Sequence, residues 1–143
     1  KKGLLAAVVA QIDHEMDQRL DVISEQAKDI WSGFSQRCHT YLDMAIESEY
    51  QRIVLRDARA VLGSASIDSQ QHCIDSMQRQ IAQLIQQGII EQADPQALAC
   101  LIYGSLAEAA FWIADGEDHN QRLNSGRTAL NLLLRGLLIK VNQ

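Results

Sequence analysis

The sequence has few residues that break helices and no segment patterned as a strand. One proline occurs among the 143 residues. No stretch alternates apolar and polar side chains with the period of two that a half-buried strand requires. Apolar residues, which make up 47% of the chain, recur instead at steps of three and four. These patterns predict an all-helical domain.

The cysteines and the charges exclude several classes of protein. Cys38, Cys73 and Cys100 lie far apart, with no C-x-x-C motif and no secretory leader, so we expect reduced thiols in a cytoplasmic protein. The net charge is -5, and because Lys and Arg bind phosphate backbones, this segment alone should not bind nucleic acid. Its apolar runs are shorter than the roughly 20 residues of a membrane span, so we expect no membrane partner.

Six helices are predicted from the apolar period and from residues that start or end helices. They cover approximately residues 3–25, 30–49, 49–63, 66–88, 95–116 and 118–140. The clearest boundary is "ADPQALA", where Asp94 can cap the first amides and Pro95 occupies the first helical position. Gly63 and Gly88 are predicted helix ends, because glycine readily adopts the left-handed conformation that terminates a helix.

The last two predicted helices are more apolar than one small chain can easily bury. Between Leu98 and Ala114 the only charged residue is Glu108, and the final helix is rich in leucine. This excess predicts a homodimer in which two helices from each subunit form a four-helix interface. The predicted interface residues are Leu98, Ile102, Leu106, Trp112, Leu130, Leu133, Leu134 and Leu137. The alternative is a monomeric bundle whose terminal helices are simply leucine-rich.

Large aromatic and polarisable side chains fall on the second, fourth and fifth predicted helices, where a bundle can hold a ligand. Ordinary core packing explains the same residues. Glu108 favours the ligand interpretation, because a carboxylate in an apolar helix needs a partner. The candidate ligand-binding residues are Trp31, Phe34, Cys38, Tyr41, Met77, Tyr103, Glu108 and Phe111.

No metal site, cofactor or catalytic centre is predicted. In the pairs Cys38-His39 and His72-Cys73, adjacent residues point about 100° apart on a helix, so each pair offers one ligand to a shared zinc ion. A buried cysteine beside an exposed histidine explains both pairs as well. No hydrolase, metalloprotease or phosphate-loop motif is present. The segment "DHEMD" at residues 13–17 is interpreted as a solvated helix flank.

Three arginines form a basic stripe on the short third predicted helix. Arg52, Arg56 and Arg59 are spaced by four and three residues, which places them on one face of an α-helix. Such a face can contact phosphate or an acidic partner surface. The alternative is an ordinary solvated face.

Three phrases, in chain order, resemble bacterial repressors of the TetR/AcrR type. "KKGLLAAVV" is similar to the passage from their helix-turn-helix domain into the next long helix. "YQRIVLRDARAVLG" resembles the phrase "RIVLxDAPAVLG" of one branch of the family, and "GIIEQADPQALACLIYGSLAEAAFWIA" resembles the entry into the dimerisation helices. Arg59 replaces the proline of the second phrase, and "SASID" replaces a tryptophan-containing stretch, so the branch's ligand is not transferred.

The resemblance implies the regulatory and dimerisation domain of a ligand-responsive transcriptional repressor, spanning residues 1–143. Residues 1–5 are then the junction to a helix-turn-helix domain missing from this chain, which alone contacts operator DNA. A small apolar or aromatic effector among the first, second, fourth and fifth helices is expected to tilt the first helix and lower operator affinity. The three arginines are expected to face the missing domain. The alternative function is a homodimeric helical scaffold without a small-molecule ligand.

Overall fold

The computed structural model describes residues 2–47, 50–58 and 67–140, and these residues confirm the all-helical prediction. Their helices are α1 Lys2–Gln26, α2 Ile30–Asp43, α3 Tyr50–Ala58, α4 Ile67–Gln86, α5 Pro95–Asp115 and α6 His119–Leu137. A 3-10 turn, Met44–Ile46, follows α2. Within these ranges the pairing of Ile90 with Leu138 is an isolated antiparallel bridge rather than part of a strand.

The helix boundaries follow the capping residues. Asp94 accepts a hydrogen bond at 3.0 Å from the amide of Ala97, so it caps α5 with Pro95 at the first position, as predicted. Asp118 caps α6 in the same way. Gly88 adopts a φ of 70° just after α4 and confirms the predicted helix end there.

Two predicted boundaries were wrong by a few residues. The second helix was expected to reach Glu49, but the α-helix ends at Asp43 and continues as a 3-10 turn. The sixth was expected to reach Lys140, but it ends at Leu137, because Leu138 turns to extended backbone and bridges Ile90. The predicted start of the third helix at Glu49 and the predicted boundaries at Gly63 and Ser66 lie outside the described residues.

The third helix is wound as a π-helix over Tyr50–Ala58. In a π-helix each hydrogen bond spans five residues. This winding is rare in proteins overall, but where it occurs it is often at a functional site. Gln51 connects this helix to the junction between α5 and α6. Its Nε2 lies 2.9 Å from Nδ1 of His119 and donates a hydrogen bond at 3.5 Å to the carbonyl of Ala114.

The core lies between α1, α2, α4 and α5, where Leu20, Phe34 and Leu84 have no exposed surface. The helices α1 and α2 approach closely at Gly33, where a Cβ atom would lie 2.7 Å from the carbonyl oxygen of Ser24. The α5 helix contacts α2, α3, α4 and α6 and therefore occupies the centre of the bundle. By length and composition alone α5 could cross a membrane, although a third of its most apolar window is buried within the chain.

Candidate functional site

A cluster of polar side chains lies inside the bundle where five helices meet. Such groups are costly to bury unless they are hydrogen-bonded or ion-paired, so their concentration distinguishes this region from the apolar core around it. The buried members, which lie close enough to influence one another electrostatically, are Asp13 and Asp17 of α1, Arg37 and Tyr41 of α2, Tyr50 of α3, Cys73 of α4 and Tyr103 of α5. We call these residues the interior polar cluster.

All three tyrosines of the chain belong to this cluster. The rings of Tyr41 and Tyr103 meet edge to face with their centroids 6.0 Å apart, and the hydroxyls of Tyr50 and Tyr103 are within hydrogen-bonding reach of Tyr41. Burial, reinforced by the negative charge of Asp13, raises the pKa of Tyr103 to about 12 and that of Tyr50 further. Burial also raises the pKa of Tyr41. The phenols are therefore neutral near pH 7.

An ion-pair network connects this cluster to the surface. The guanidinium of Arg37 donates to Asp21 at 2.7 Å and to the hydroxyl of Ser24 at 3.3 Å. Burial tends to raise the pKa of Asp21, but the hydrogen bond and charge of Arg37, with those of His72, outweigh it and leave that pKa lowered. Among the described residues, Nε of Arg37 and Oε1 of Gln80 have no hydrogen-bond partner. The network links α1, α2 and α4.

The two cysteine-histidine pairs place their cysteines inside and their histidines towards the surface. Cys38 and Cys73 are buried, and burial raises the pKa of each thiol to about 12. His39 hydrogen-bonds with Asn131 at 2.8 Å, and His72 lies 3.4 Å from Asp21. In the part of the chain that the structure describes, no three His, Cys, Asp or Glu side chains gather as a metal site would require. The expectation of no metal stays a prediction.

The interpretation of "DHEMD" as a solvated flank was wrong for both aspartates. Asp13 is 2% exposed and Asp17 is 6% exposed, whereas His14 and Glu15 are exposed. The sequence contained a signal for this arrangement, because Asp13 and Asp17 are four residues apart and share a helix face with buried Leu20. Charged residues within an apolar stripe are better interpreted as a buried polar site.

A cleft of about 570 Å³ lies between α3 and α5. Its lining residues are Leu55 and Arg56 of α3, with Glu108, Phe111, Trp112, Ala114 and Asp115 of α5. Its volume is within the range of small-molecule pockets. The cleft carries a guanidinium on its α3 wall and two carboxylates and two aromatic rings on its α5 wall.

The predicted ligand-binding residues divide between these two places. Phe34, Cys38, Tyr41, Met77 and Tyr103 are buried in and around the interior polar cluster, whereas Glu108 and Phe111 line the cleft. Trp31 is half-buried beside Phe34, with a ring-centroid separation of 6.2 Å. Sequence reasoning missed Asp13, Asp17, Arg37 and Tyr50 as members of the polar interior. Whether any of these residues binds a ligand stays a prediction.

The outer face of α5 and α6 is strongly apolar. Leu101 is 71% exposed, Leu133 is 62% and Leu132 is 59%, although each is a large apolar side chain. Two apolar grooves between α5 and α6, of about 230 and 370 Å³, share Leu130, Leu133 and Ser105 as lining residues. We call this surface the α5/α6 face.

The predicted interface residues occupy different depths of the α5/α6 face. Leu133 and Trp112 are exposed, whereas Leu98, Ile102 and Leu137 are half-buried. Leu106, Leu130 and Leu134 are buried within the chain and line the floor of the grooves. Leu101, the most exposed residue of this face, and Leu132 were not among the predicted residues. Gly104 and Gly136 are exposed with nothing near their missing side chains, whereas Gly126 faces Ile113 and Leu42.

The arginine stripe is only partly described. Arg52 is exposed, and Arg56 lines the cleft rather than a separate outer surface. Arg59 lies outside the described residues. The π winding of α3 differs from the α-helix on which the common face was predicted.

Comparisons with known proteins agree with this fold. Residues 31–137 match the family described as the tetracyclin repressor-like C-terminal domain. The chain belongs to the TetR family. A solved TetR-family transcriptional regulator from Pectobacterium atrosepticum is 70% identical, superposes with a TM-score of 0.94, and is matched over 99% of this chain and 73% of its own. The resemblance to TetR-type regulators is thereby confirmed. No significant match was found among curated proteins.

TetR-family membership confirms the helical architecture and the role of the chain as part of a transcriptional regulator. Within this TetR-family domain, the cleft and the α5/α6 face are adjacent, since Trp112 lines both the cleft and one of the apolar grooves.

Proposed function

We propose that this chain is the effector-binding and dimerisation domain of a transcriptional repressor, in which a small molecule lowers the affinity for operator DNA. The observation that carries the proposal is the cleft of about 570 Å³ between α3 and α5. One of its walls, α3, also contributes Tyr50 to the interior polar cluster. A ligand that moves α3 therefore acts on a group inside the bundle.

The contacts of Tyr50 supply a route from the cleft to α1. Tyr50 is 7% exposed and lies near Asp13 of α1, whose charge raises the tyrosine pKa. It is also within hydrogen-bonding reach of Tyr41 of α2. Because packed interiors change between discrete arrangements rather than deforming smoothly, a displacement of α3 is passed to α1 where the two helices pack together. In the proposed mechanism α1 carries the DNA-binding domain and tilts with the ligand.

The α5/α6 face supports a homodimer. Large apolar side chains that are exposed together mark interaction sites, and symmetric pairing buries the same patch on both subunits. Exposed Gly104 and Gly136 leave room for a partner backbone to approach closely. We propose that Leu101, Leu132 and Leu133 form the centre of this interface, with Trp112 at its edge beside the cleft. We also propose that the chain acts in the cytoplasm without a cofactor or catalytic role.

The charge of the domain favours DNA contacts outside it. With a net charge of -5, this chain is a poor ligand for phosphate, so operator binding is assigned to an N-terminal domain beyond it. Two such domains in a dimer must lie roughly 34 Å apart to enter successive major grooves. Coupling of about 1 to 3 kcal/mol between effector and operator lowers DNA affinity roughly 5- to 150-fold.

The proposal is tested first by thermal unfolding of the 143-residue chain against a library of small apolar and aromatic compounds. A compound that binds the folded state at 100 times its Kd should stabilise it by about 2.7 kcal/mol. Operator affinity of the full-length protein is then measured with and without the compound. Tyr50→Phe should retain compound binding and reduce its effect on DNA, whereas Asp75→Asn, at an exposed position of α4, should change neither.

Two results contradict the proposal. If no compound stabilises the chain, the scaffold alternative is favoured. If a compound binds but operator affinity is unchanged, the domain is not a ligand-responsive regulator.

A further inference from the structure

The charges that line the cleft are arranged by sign on its two walls. Arg56 extends from α3, while Glu108 and Asp115 lie on α5. On an α-helix, residues 108, 111, 112 and 115 are spaced by three or four positions, so both carboxylates and both rings lie along one face. A ligand in this cleft therefore meets a cation on one side and anions with flat aromatic surface on the other.

The aromatic wall already holds a cation within the chain itself. The guanidinium of Arg122 lies 4.6 Å from the centroid of the Trp112 ring. It is held there by a hydrogen bond from Nη1 of Arg122 to the carbonyl of Trp112. Glu108 and Phe111 also take part in interactions within the chain, so a ligand would share these groups rather than find them vacant. Aromatic faces and carboxylates together favour a ligand ammonium group.

From this arrangement we propose that the cleft recognises a small zwitterion with a flat aromatic body, of the chemical class of the aromatic amino acids. Its ammonium group faces Glu108 and Asp115, its carboxylate faces Arg56, and its ring packs against Phe111 and Trp112. A simple organic cation would face Arg56 with a like charge, and a simple anion would face two carboxylates. This inference rests on the proposed function, because it names the effector class of the same cleft.

Three indole compounds of similar shape test the charge requirement: L-tryptophan, tryptamine, which lacks the carboxylate, and indole-3-propionate, which lacks the ammonium. Isothermal titration calorimetry with the 143-residue chain should give L-tryptophan the lowest Kd, by about three- to fivefold over either analogue. This size is expected because one partly exposed ion pair contributes up to about fivefold in affinity. The preference should weaken as salt is raised.

Variants that each remove one charge test which side chain recognises which charged group of the ligand. Arg56→Gln should abolish the preference for L-tryptophan over tryptamine and keep the preference over indole-3-propionate. Glu108→Gln and Asp115→Asn should do the reverse. Glu91→Gln serves as the control, because Glu91 is exposed at the opposite end of α5 from the cleft. All four positions are exposed, and unchanged unfolding temperatures would verify that the variants fold.

Three outcomes overturn the zwitterion inference without deciding the proposed function. In the first, either analogue binds as tightly as L-tryptophan. In the second, the variants change affinity without changing the preference. In the third, none of the three indoles binds, while another compound stabilises the chain and lowers operator affinity. The proposed function itself fails only on the compound-library and operator measurements described above.

Discussion

Two regions of this chain depart from the usual distribution of residues in opposite directions. The interior polar cluster places two aspartates, an arginine and three tyrosines inside the bundle. The α5/α6 face places Leu101, Leu132 and Leu133 outside it. Burying polar groups and exposing large apolar ones both cost stability relative to an ordinary core and surface.

The costs of the two regions are offset in different ways. Polar groups inside the chain can satisfy one another, as the reach of Tyr41 to Tyr50 and Tyr103 shows. Apolar side chains on the surface stay in contact with water unless another molecule covers them. We therefore expect mutations and pH changes at the interior polar cluster to alter the stability of a single chain. We expect mutations of the α5/α6 face to alter dimerisation.

The largest expected effect is alkaline unfolding driven by the interior. Burial raises the pKa of Tyr103 from 10.0 to about 12, and it also raises the pKa values of Tyr41 and Tyr50. A raised folded-state pKa of an acid gives stability that is fully present below pH 10 and is lost above it, because the unfolded phenol ionises first. Each tyrosine should remove about 1.4 kcal/mol per pH unit in that window, and the thiols of Cys38 and Cys73 should begin to contribute above pH 9.

Phenolate absorbance and circular dichroism followed together against pH check this prediction. Both signals should change in one transition well above pH 10. Titration of the tyrosines near pH 10 in a chain that keeps its native circular dichroism would show that the phenols are accessible.

The next largest effect is expected on dimerisation through the α5/α6 face. Leu133→Asp places a charge where a dimer would bury an apolar side chain, and should raise the dimer dissociation constant by at least about 100-fold, the size of an interface hot spot. Analytical ultracentrifugation measures the change. The matched control is Leu4→Asp, which alters an equally exposed leucine, 72% accessible, on α1. A monomeric starting protein, or equal effects of the two variants, would contradict an α5/α6 dimer.

Glycine substitutions should separate contacts within the chain from contacts between chains. Gly33→Ala should destabilise the fold by about 1 to 3 kcal/mol, because the added Cβ would lie 2.7 Å from the carbonyl of Ser24. Gly104→Ala meets nothing within 4 Å and should stabilise an isolated subunit by about 0.5 to 1 kcal/mol. Denaturant unfolding of both variants in the Leu133→Asp background measures these terms. Loss of stability in Gly104→Ala would show an intrachain role for that position.

The smallest effect on stability is expected at the ion pair of Asp21 with Arg37, which connects the interior polar cluster to the surface. Asp21→Asn removes the charge that pairs with Arg37 at 2.7 Å, and should cost about 1 kcal/mol, because a carboxylate a third exposed is screened by solvent. The lowered pKa of Asp21 means that its contribution is present above about pH 4 and is lost as pH falls. Asp75→Asn, at an exposed position of α4, is the control. Equal urea midpoints for the two variants at pH 7 would rule out this network as a stabilising link.

Much of the fold was predictable because it depends on local patterns. The capping of α5 by Asp94, the end of α4 at Gly88 and the all-helical class each follow from neighbouring residues. The ends of α2 and α6 were less accurate, because the 3-10 turn after Asp43 and the bridge of Leu138 to Ile90 are tertiary choices. The same holds for the π winding of α3.

The candidate site shows the same division. Tyr41, Tyr103, Glu108 and Phe111 were selected by residue type, but only the fold separates them into an interior cluster and a cleft. Asp13 was misassigned because its charge was given more weight than its place on the face of α1 that carries Leu20.

By itself the sequence determined the helical class, the boundaries set by capping residues, the excess of apolar surface near the C-terminus and the family resemblance. Each is a property of residue type and of spacing along one helix. Only the tertiary structure decided that Asp13 and Tyr50 meet inside the bundle, and that Arg56 faces a cleft wall carrying Glu108 and Asp115. Those relations depend on how α1, α3 and α5 are rotated and packed against one another, which no single helix specifies.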